Sequence, residues 1–230
     1  MKEFLTNSVF FGAVLSLAAY EVGNLMKRKF RMAIFNPLLI AVICVIAVLL
    51  LFDIDYEMYN EGGKYISYLL TPATVSLAVP LYRQIALLKK NLKAVIAGIV
   101  SGVLASMGGV YVLALAFRLD KQLYVTLLPK SITTAIGMGV SEELGGVVTI
   151  TVAVIVITGV LGNVIADFVC KLFHLEEPVA KGLALGTAAH AIGTSKAMEM
   201  GEVEGAMSSL AIAVAGLLTV VTSSVFAGLL

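Results

Sequence analysis

Six apolar stretches, at about 4–26, 32–52, 65–88, 94–117, 147–170 and 206–230, are each long enough to cross a bilayer at about 20 residues per helical span. Lipid offers backbone N–H and C=O groups no outside partner, so each stretch is expected to be helical. Two further stretches, 123–143 and 181–200, mix glycines or prolines with Ser, Thr, Lys, His and Glu, which a lipid-facing helix should avoid. They are expected to be interior spans or re-entrant segments. The expected fold class is an all-α polytopic membrane protein, a single transmembrane domain over 1–230, with about eight membrane segments, some broken or re-entrant.

Composition closes off most other classes. The chain is 60% hydrophobic and 13% charged, where a soluble domain carries about a quarter charged residues, so no large water-exposed domain fits. A net charge of +1 and the lack of a basic tract apart from the membrane flanks argue against a nucleic-acid partner. Cys44 and Cys170 lie in apolar runs without metal-type spacing and read as packing residues. The start resembles a secretory signal in Lys2, in the run opening at Val9-Phe10-Phe11, and in the small pair Ala18-Ala19. Because the apolar run continues to Met26, a retained first span is expected.

Loop charge sets an expected orientation. Lys27, Arg28, Lys29 and Arg31 follow the first run, and Arg83, Lys89, Lys90 and Lys93 separate the third and fourth, so both loops are expected on the cytoplasmic side. The acidic loop between them (Asp53, Asp55, Glu57, Glu61) and the tyrosines Tyr56, Tyr59, Tyr65 and Tyr68 mark the opposite boundary. Lys171 and Lys181 fall outside if 123–143 crosses, and inside if it re-enters. The spacing does not choose.

Three unusual segments stack at intervals of about 56–58 residues: LLTPATVSLAV at 69–79, LLPKSITTAIG at 127–137 and LALGTAAHAIG at 183–193, each followed by a long apolar helix. Short polar segments interrupted by Gly or Pro, repeated before full helices, are the sequence pattern of a mid-membrane transport site. Chance likeness among Ala/Gly/Thr-rich segments is the competing explanation.

In the first segment Pro72 and Pro80 each remove a helical hydrogen bond, so a kink or break is expected there. Thr71, Thr74 and Ser76 could then bind a ligand or only the freed backbone. In the second, Pro129 fits a first helical position, with Ser131, Thr133 and Thr134 just behind it, and a helix N-terminus there would favour an anion. Lys130 adds a full charge, unless it snorkels to the headgroups. In the third, His190 and Thr194 are one turn apart, Gly193 marks a helix break, and Lys196 is free for a ligand or paired with Glu199. A histidine inside a membrane segment points to function by default. Asn36-Pro37 reads as a helix cap with proline in the first position. Asp167 reads as interfacial or packed against other helices. No HExxH, phosphate-cradling loop or triad-like spacing occurs, so neither an enzyme, a metal site nor a cofactor is expected.

Together NPLL at 36–39, LLTPATVSLAVPLY at 69–82, PKSITTAIGMGVSEELGG at 129–146 and ALGTAAHAIGTSKAMEMGEVEGAMSSLA at 184–211 resemble the LrgB/CidB family of bacterial membrane proteins. That family has been described as antiholin-like, regulating murein hydrolases with a small LrgA/CidA-type membrane protein. Its relatives include the plastid glycolate/glycerate translocator, and bacterial members have been linked to pyruvate uptake. The resemblance implies a bacterial inner-membrane protein that carries a small monocarboxylate of the glycolate, glycerate, pyruvate or lactate class, with a small partner. The alternative it implies is an antiholin-like regulator without flux of its own. It assigns Thr71, Pro72, Thr74 and Pro80 to one family motif, Lys130, Ser131, Thr133 and Thr134 to a second, and His190, Gly193, Thr194 and Lys196 to a third. Self-association is left open.

Overall fold

The computed structural model describes residues 8, 10–30, 32, 35–76 and 78–230, apart from the side chains of Leu70, Thr74 and Leu81. The chain divides into two compact units, at Ser76/Leu77. The signal-like residues Lys2 and Val9, and Arg31, lie outside the described residues.

The first unit holds α1 (Phe11–Phe30), α2 (Pro37–Leu51), α3 (Tyr56–Ser67) and α4 (Leu70–Ser76). Asn36 caps α2 as its sequence predicts: the side-chain oxygen accepts from the Leu38 and Leu39 amides at 2.9 and 3.2 Å, and Pro37 fills the first turn, where an N–H has no helical partner. Gly23 lets α1 approach α2 until a Cβ on it would fall 2.6 Å from the Pro37 carbonyl oxygen. Ser16 on α1 and Tyr59 on α3 share a 2.7 Å hydrogen bond.

The expected span at 65–88 is not one helix. It is the end of α3, then α4, then α5 (Ala78–Arg83) and α6 (Ile85–Lys90) of the second unit. Pro72 stands third in α4, after the turn at Tyr68-Leu69, whereas Pro80 lies in α5, three residues beyond Leu77, which is outside the described residues. In a first turn proline interrupts no hydrogen bond, so Pro72 starts a helix after the break at 68–69, and the expectation at Pro80 turns on Leu77, outside the described residues.

Beyond α6 the second unit contains α7 (Leu92–Phe117), α8 (Lys121–Leu127), α9 (Thr134–Glu143), α10 (Val148–Leu172), α11 (Pro178–Met200) and α12 (Glu202–Ala227). Of the described helices, α7, α10 and α12 are long and apolar enough to cross a membrane. This is an all-α membrane protein.

Both polar stretches double back. In the first, α8 starts on an Asp120 cap, with Leu123 N–H donating to Oδ1 at 2.7 Å, and gives way to a turn at Leu128-Pro129, where proline cannot extend it. α9 then returns: Val147 N–H donates to Thr126 Oγ1 at 2.8 Å, and Gln122 Nε2 lies 3.5 Å from the Gly145 carbonyl oxygen. Gly145, at φ +78°, makes the left-handed turn out of α9. A buried polar knot ties the base, with Thr151 Oγ1 2.7 Å from Ser141 Oγ and 2.9 Å from the Thr126 carbonyl oxygen.

In the second stretch, α11 is continuous only by name. Ala189 (φ −130°, ψ 17°) and His190 (φ 41°, ψ −138°) leave helical geometry, so that 178–188 forms one arm and 191–200 another. A Cβ on Gly193 would lie 2.7 Å from the Leu185 carbonyl oxygen, although eight residues of straight helix would separate them by about 12 Å. Leu185 packs with Ala197 and Ala166. The break expected at Gly193 therefore sits at Ala189-His190, and Gly193 instead gives the close contact between the arms.

The two hairpins enter from opposite ends of the unit. Asn91 and Glu177 line one cavity, and Lys171, Lys181, Met200 and Glu204 line another, so the base of the α11 hairpin shares an end with the start of α7. The base of the α8–α9 hairpin shares the other end with the C-terminus of α12, where Tyr124 O–H donates to the Phe226 carbonyl at 2.8 Å. Hairpin plus long helix, 121–172, is thus followed by hairpin plus long helix, 178–227, in the opposite sense. Of the three expected repeats these two share an architecture; the first, at 69–79, straddles the boundary between the units and Leu77, which lies outside the described residues. Single cysteines at Lys121 and Gly145, in a background without Cys44 and Cys170, are expected to react from one membrane face, and cysteines at Lys181 and Glu202 from the other. Labelling of Lys121 and Gly145 from opposite faces would contradict the hairpin.

Candidate functional site

An elongated cavity of about 850 Å³ runs between α7 and the first arm of α11. The helices touch along a seam of small residues, where a Cβ on Gly98 would lie 3.0 Å from Leu183 Cδ1 and one on Gly102 2.7 Å from Thr187 Oγ1. Near the middle of α7 the cavity meets the turn of the α8–α9 hairpin, which supplies Lys130 and Ser131. Lys130 Nζ donates to Ser131 Oγ at 2.9 Å and lies 3.5 Å from Ser106 Oγ, and Ser106 Oγ donates to Ser131 Oγ at 2.9 Å. Ser131 is buried and Lys130 half-buried. Ser106 sits 14 residues into α7, about 21 Å from its start at 1.5 Å per residue, so the cation and two hydroxyls converge near mid-depth. A carboxylate there would exchange the Lys130–Ser131 bond for charge-assisted bonds to itself.

The helix N-terminus expected at Pro129 lies further on. Pro129 belongs to the turn after α8, Thr133 is the residue before α9 with no side-chain capping bond, and Thr134 is its first residue. Neither threonine lines the cavity with Lys130 and Ser131. Thr187, by contrast, does line it.

His190 forms the tip of the second hairpin, two residues beyond the cavity-lining Ala188. Its ring is 3% exposed, and Nε2 lies 2.9 Å from the Ile155 carbonyl oxygen. α10 is carved to receive it: a Cβ on Gly159 would fall 2.7 Å from the ring. A positive φ at a non-glycine residue is a strained choice that a glycine would avoid, so the imidazole is kept at a backbone cost. Thr194 Oγ1 donates to the His190 carbonyl at 3.0 Å and pairs with Ser208 Oγ at 2.7 Å, so it secures the hairpin to α12.

Lys196 does not join the cavity. Its ammonium sits 2.8 Å from Asp167 Oδ2 and 3.9 Å from Glu199 Oε2, which makes it a strut between the returning arm and α10. The expected Glu199 pairing is present but secondary to Asp167. Thr71, Pro72 and Ser76 are exposed in α4 of the first unit, where Ser76 Oγ donates to its own helix at the Ala73 carbonyl, 2.6 Å away. The side chain of Thr74 lies outside the described residues. Sequence reasoning passed over Ser106 because it is one hydroxyl inside an apolar run. The signal that could have found it is its place in the row Gly98, Gly102, Ser106, one small residue per turn.

The LrgB-like family model matches residues 16–229. The chain belongs to the LrgB-like family. It is 41% identical over 222 residues to "Antiholin-like protein LrgB" of Bacillus mycoides (strain KBAB4), covering 96% of both chains. It is 40% identical, over the same shares, to proteins of that name in Bacillus cereus (strain B4264) and Bacillus anthracis (strain CDC 684 / NRRL 3495). No solved structure matches. In this LrgB-like chain the second and third family motifs form the two hairpins. The first lies in α4 and α5, on either side of the boundary between the units.

Proposed function

We propose that this LrgB-like protein carries a small monocarboxylate, of the glycolate, glycerate, pyruvate or lactate class, across the bacterial cytoplasmic membrane with a small LrgA/CidA-type partner. The observation that supports the reading is the Lys130–Ser131–Ser106 cluster at a hairpin turn near mid-depth. Two hairpins in opposed orientation place broken backbone at the centre of the unit, an arrangement used by secondary transporters to hold a substrate at the midplane. The end carrying Lys89, Lys90, Lys93, Lys171 and Lys181 is the cytoplasmic one by the positive-inside rule, so the cavity opens inward.

A second reading rests on the relatives. Each of those named above is called antiholin-like, which backs a regulator of murein hydrolase activity and lysis more directly than it backs a carrier. Uptake of labelled glycolate and pyruvate into proteoliposomes, with the protein alone and with an LrgA-type partner, separates the two. Saturable uptake supports the carrier. No flux under either condition, with the partner bound stoichiometrically, supports the regulator.

A further inference from the structure

The cavity is much longer than a two- or three-carbon acid. Between the level of Ala94 and Val179 and that of Gly102 and Thr187 it runs eight residues along each helix, about 12 Å at 1.5 Å per residue. Along that length the walls are Ala94, Gly98, Val179, Ala180, Leu183 and Ala184. The hydroxyls within it are turned back onto their own helices: Ser101 Oγ donates to the Gly98 carbonyl at 3.0 Å and Thr187 Oγ1 to the Leu183 carbonyl at 2.8 Å. Ordered water needs about two to four polar partners, and the Ser101 and Thr187 hydroxyls, with their protons given to their own helices, offer it only acceptor lone pairs. Ala94, Ser101, Ala105, Ala184 and Ala188 are exposed, so the groove also opens sideways between the helices. Its two ends differ in charge, with Lys130 inside and Glu177 at the mouth.

We propose that this cavity takes single-tailed alkyl carboxylates, the carboxylate held by Lys130, Ser131 and Ser106 and the tail lying along α7 and the first arm of α11. The proposal rests on the carboxylate anchor of the preceding reading and extends it to a different ligand class. The anchor at Ser106 lies twelve residues along α7 from Ala94, about 18 Å, which accommodates about fourteen carbons of extended chain. The apolar walls favour each added methylene, and Glu177 disfavours a second carboxylate at the far end.

The test is displacement of radiolabelled octanoate from the full chain in nanodiscs, with empty nanodiscs subtracted, by straight-chain monocarboxylates from acetate upward. Affinity is expected to rise about two- to fourfold per methylene to about fourteen carbons and then level off. Ala184→Leu, which fills the groove wall, is expected to flatten that rise, and Lys130→Ala to weaken all lengths. The straight-chain monocarboxylate of about fourteen carbons is expected to outcompete the α,ω-dicarboxylate of the same length. A flat length dependence, a rise unaltered by Ala184→Leu, or equal binding of the dicarboxylate overturns the proposal. If acetate and glycolate bind without any gain from length, the anchor stands and this inference falls. If no carboxylate displaces another, both fall, and if octanoate binds with the expected profile while no short acid is transported, only the carrier reading falls.

Discussion

Lys130→Ala is expected to lower the uptake of glycolate or pyruvate by about 30-fold or more, the loss of a charged hydrogen bond worth about 2 kcal/mol, while the protein remains folded. Among the described residues the ammonium bonds to two hydroxyls, Ser131 at 2.9 Å and Ser106 at 3.5 Å, and to no carboxylate, so its removal strands no buried counter-charge there. Lys196→Ala provides the contrast. That ammonium is engaged by Asp167 at 2.8 Å, and its loss should loosen the second hairpin while leaving substrate affinity near the wild-type value. Initial-rate uptake in proteoliposomes, read beside thermal melting of each variant, checks the pair. Equal uptake losses from the two substitutions, with both folds intact, would place the substrate elsewhere.

Gly186→Val is expected to destabilise the second unit by roughly 3 kcal/mol, within the upper range of overpacking, and to remove most monodisperse protein from detergent extracts. The first arm of α11 lies on α12 at this point, and a Cβ there would fall 2.5 Å from the Ser208 carbonyl oxygen and 2.7 Å from Ala211 Cβ. Backbone and a rigid methyl cannot move aside. Gly109→Val, on α7, is the matched control: a Cβ there has no neighbour within 4 Å, so the same substitution should be tolerated. Size-exclusion profiles of the two variants decide the matter.

Helix and membrane class were legible because apolar run length is a direct physical signal, and α7, α10 and α12 fall where the runs at 94–117, 147–170 and 206–230 place them. The hairpins were only half legible. Their polar residues announced that 123–143 and 181–200 avoid lipid, but crossing and re-entry demand the same local chemistry. The choice is made by contacts distant in sequence, such as Thr126 with Val147 and Gly193 with Leu185. Lys130 and Ser131 were visible as charge and hydroxyl beside a proline. Lys196 misled because its strongest partner, Asp167, is supplied by another helix, which no i,i+3 or i,i+4 rule reaches. Pro72 shows a related limit: a proline that breaks a helix and one that begins the next look alike until the neighbouring helix ends are known, here the turn at Tyr68-Leu69.

The opposed hairpins also bear on how the chain is made. A lysine at the centre of a translocating helix costs about 2.5–3.5 kcal/mol at insertion, and a polar segment such as 121–146 is a poor stop signal. Because it leaves by the end at which it enters, within the second unit α7, α10 and α12 are the helices long and apolar enough to be threaded by the insertion machinery, with alternating direction. Each hairpin can then settle between helices already in place. Lys130 and His190 are therefore carried to mid-bilayer by folding, never by passage through lipid.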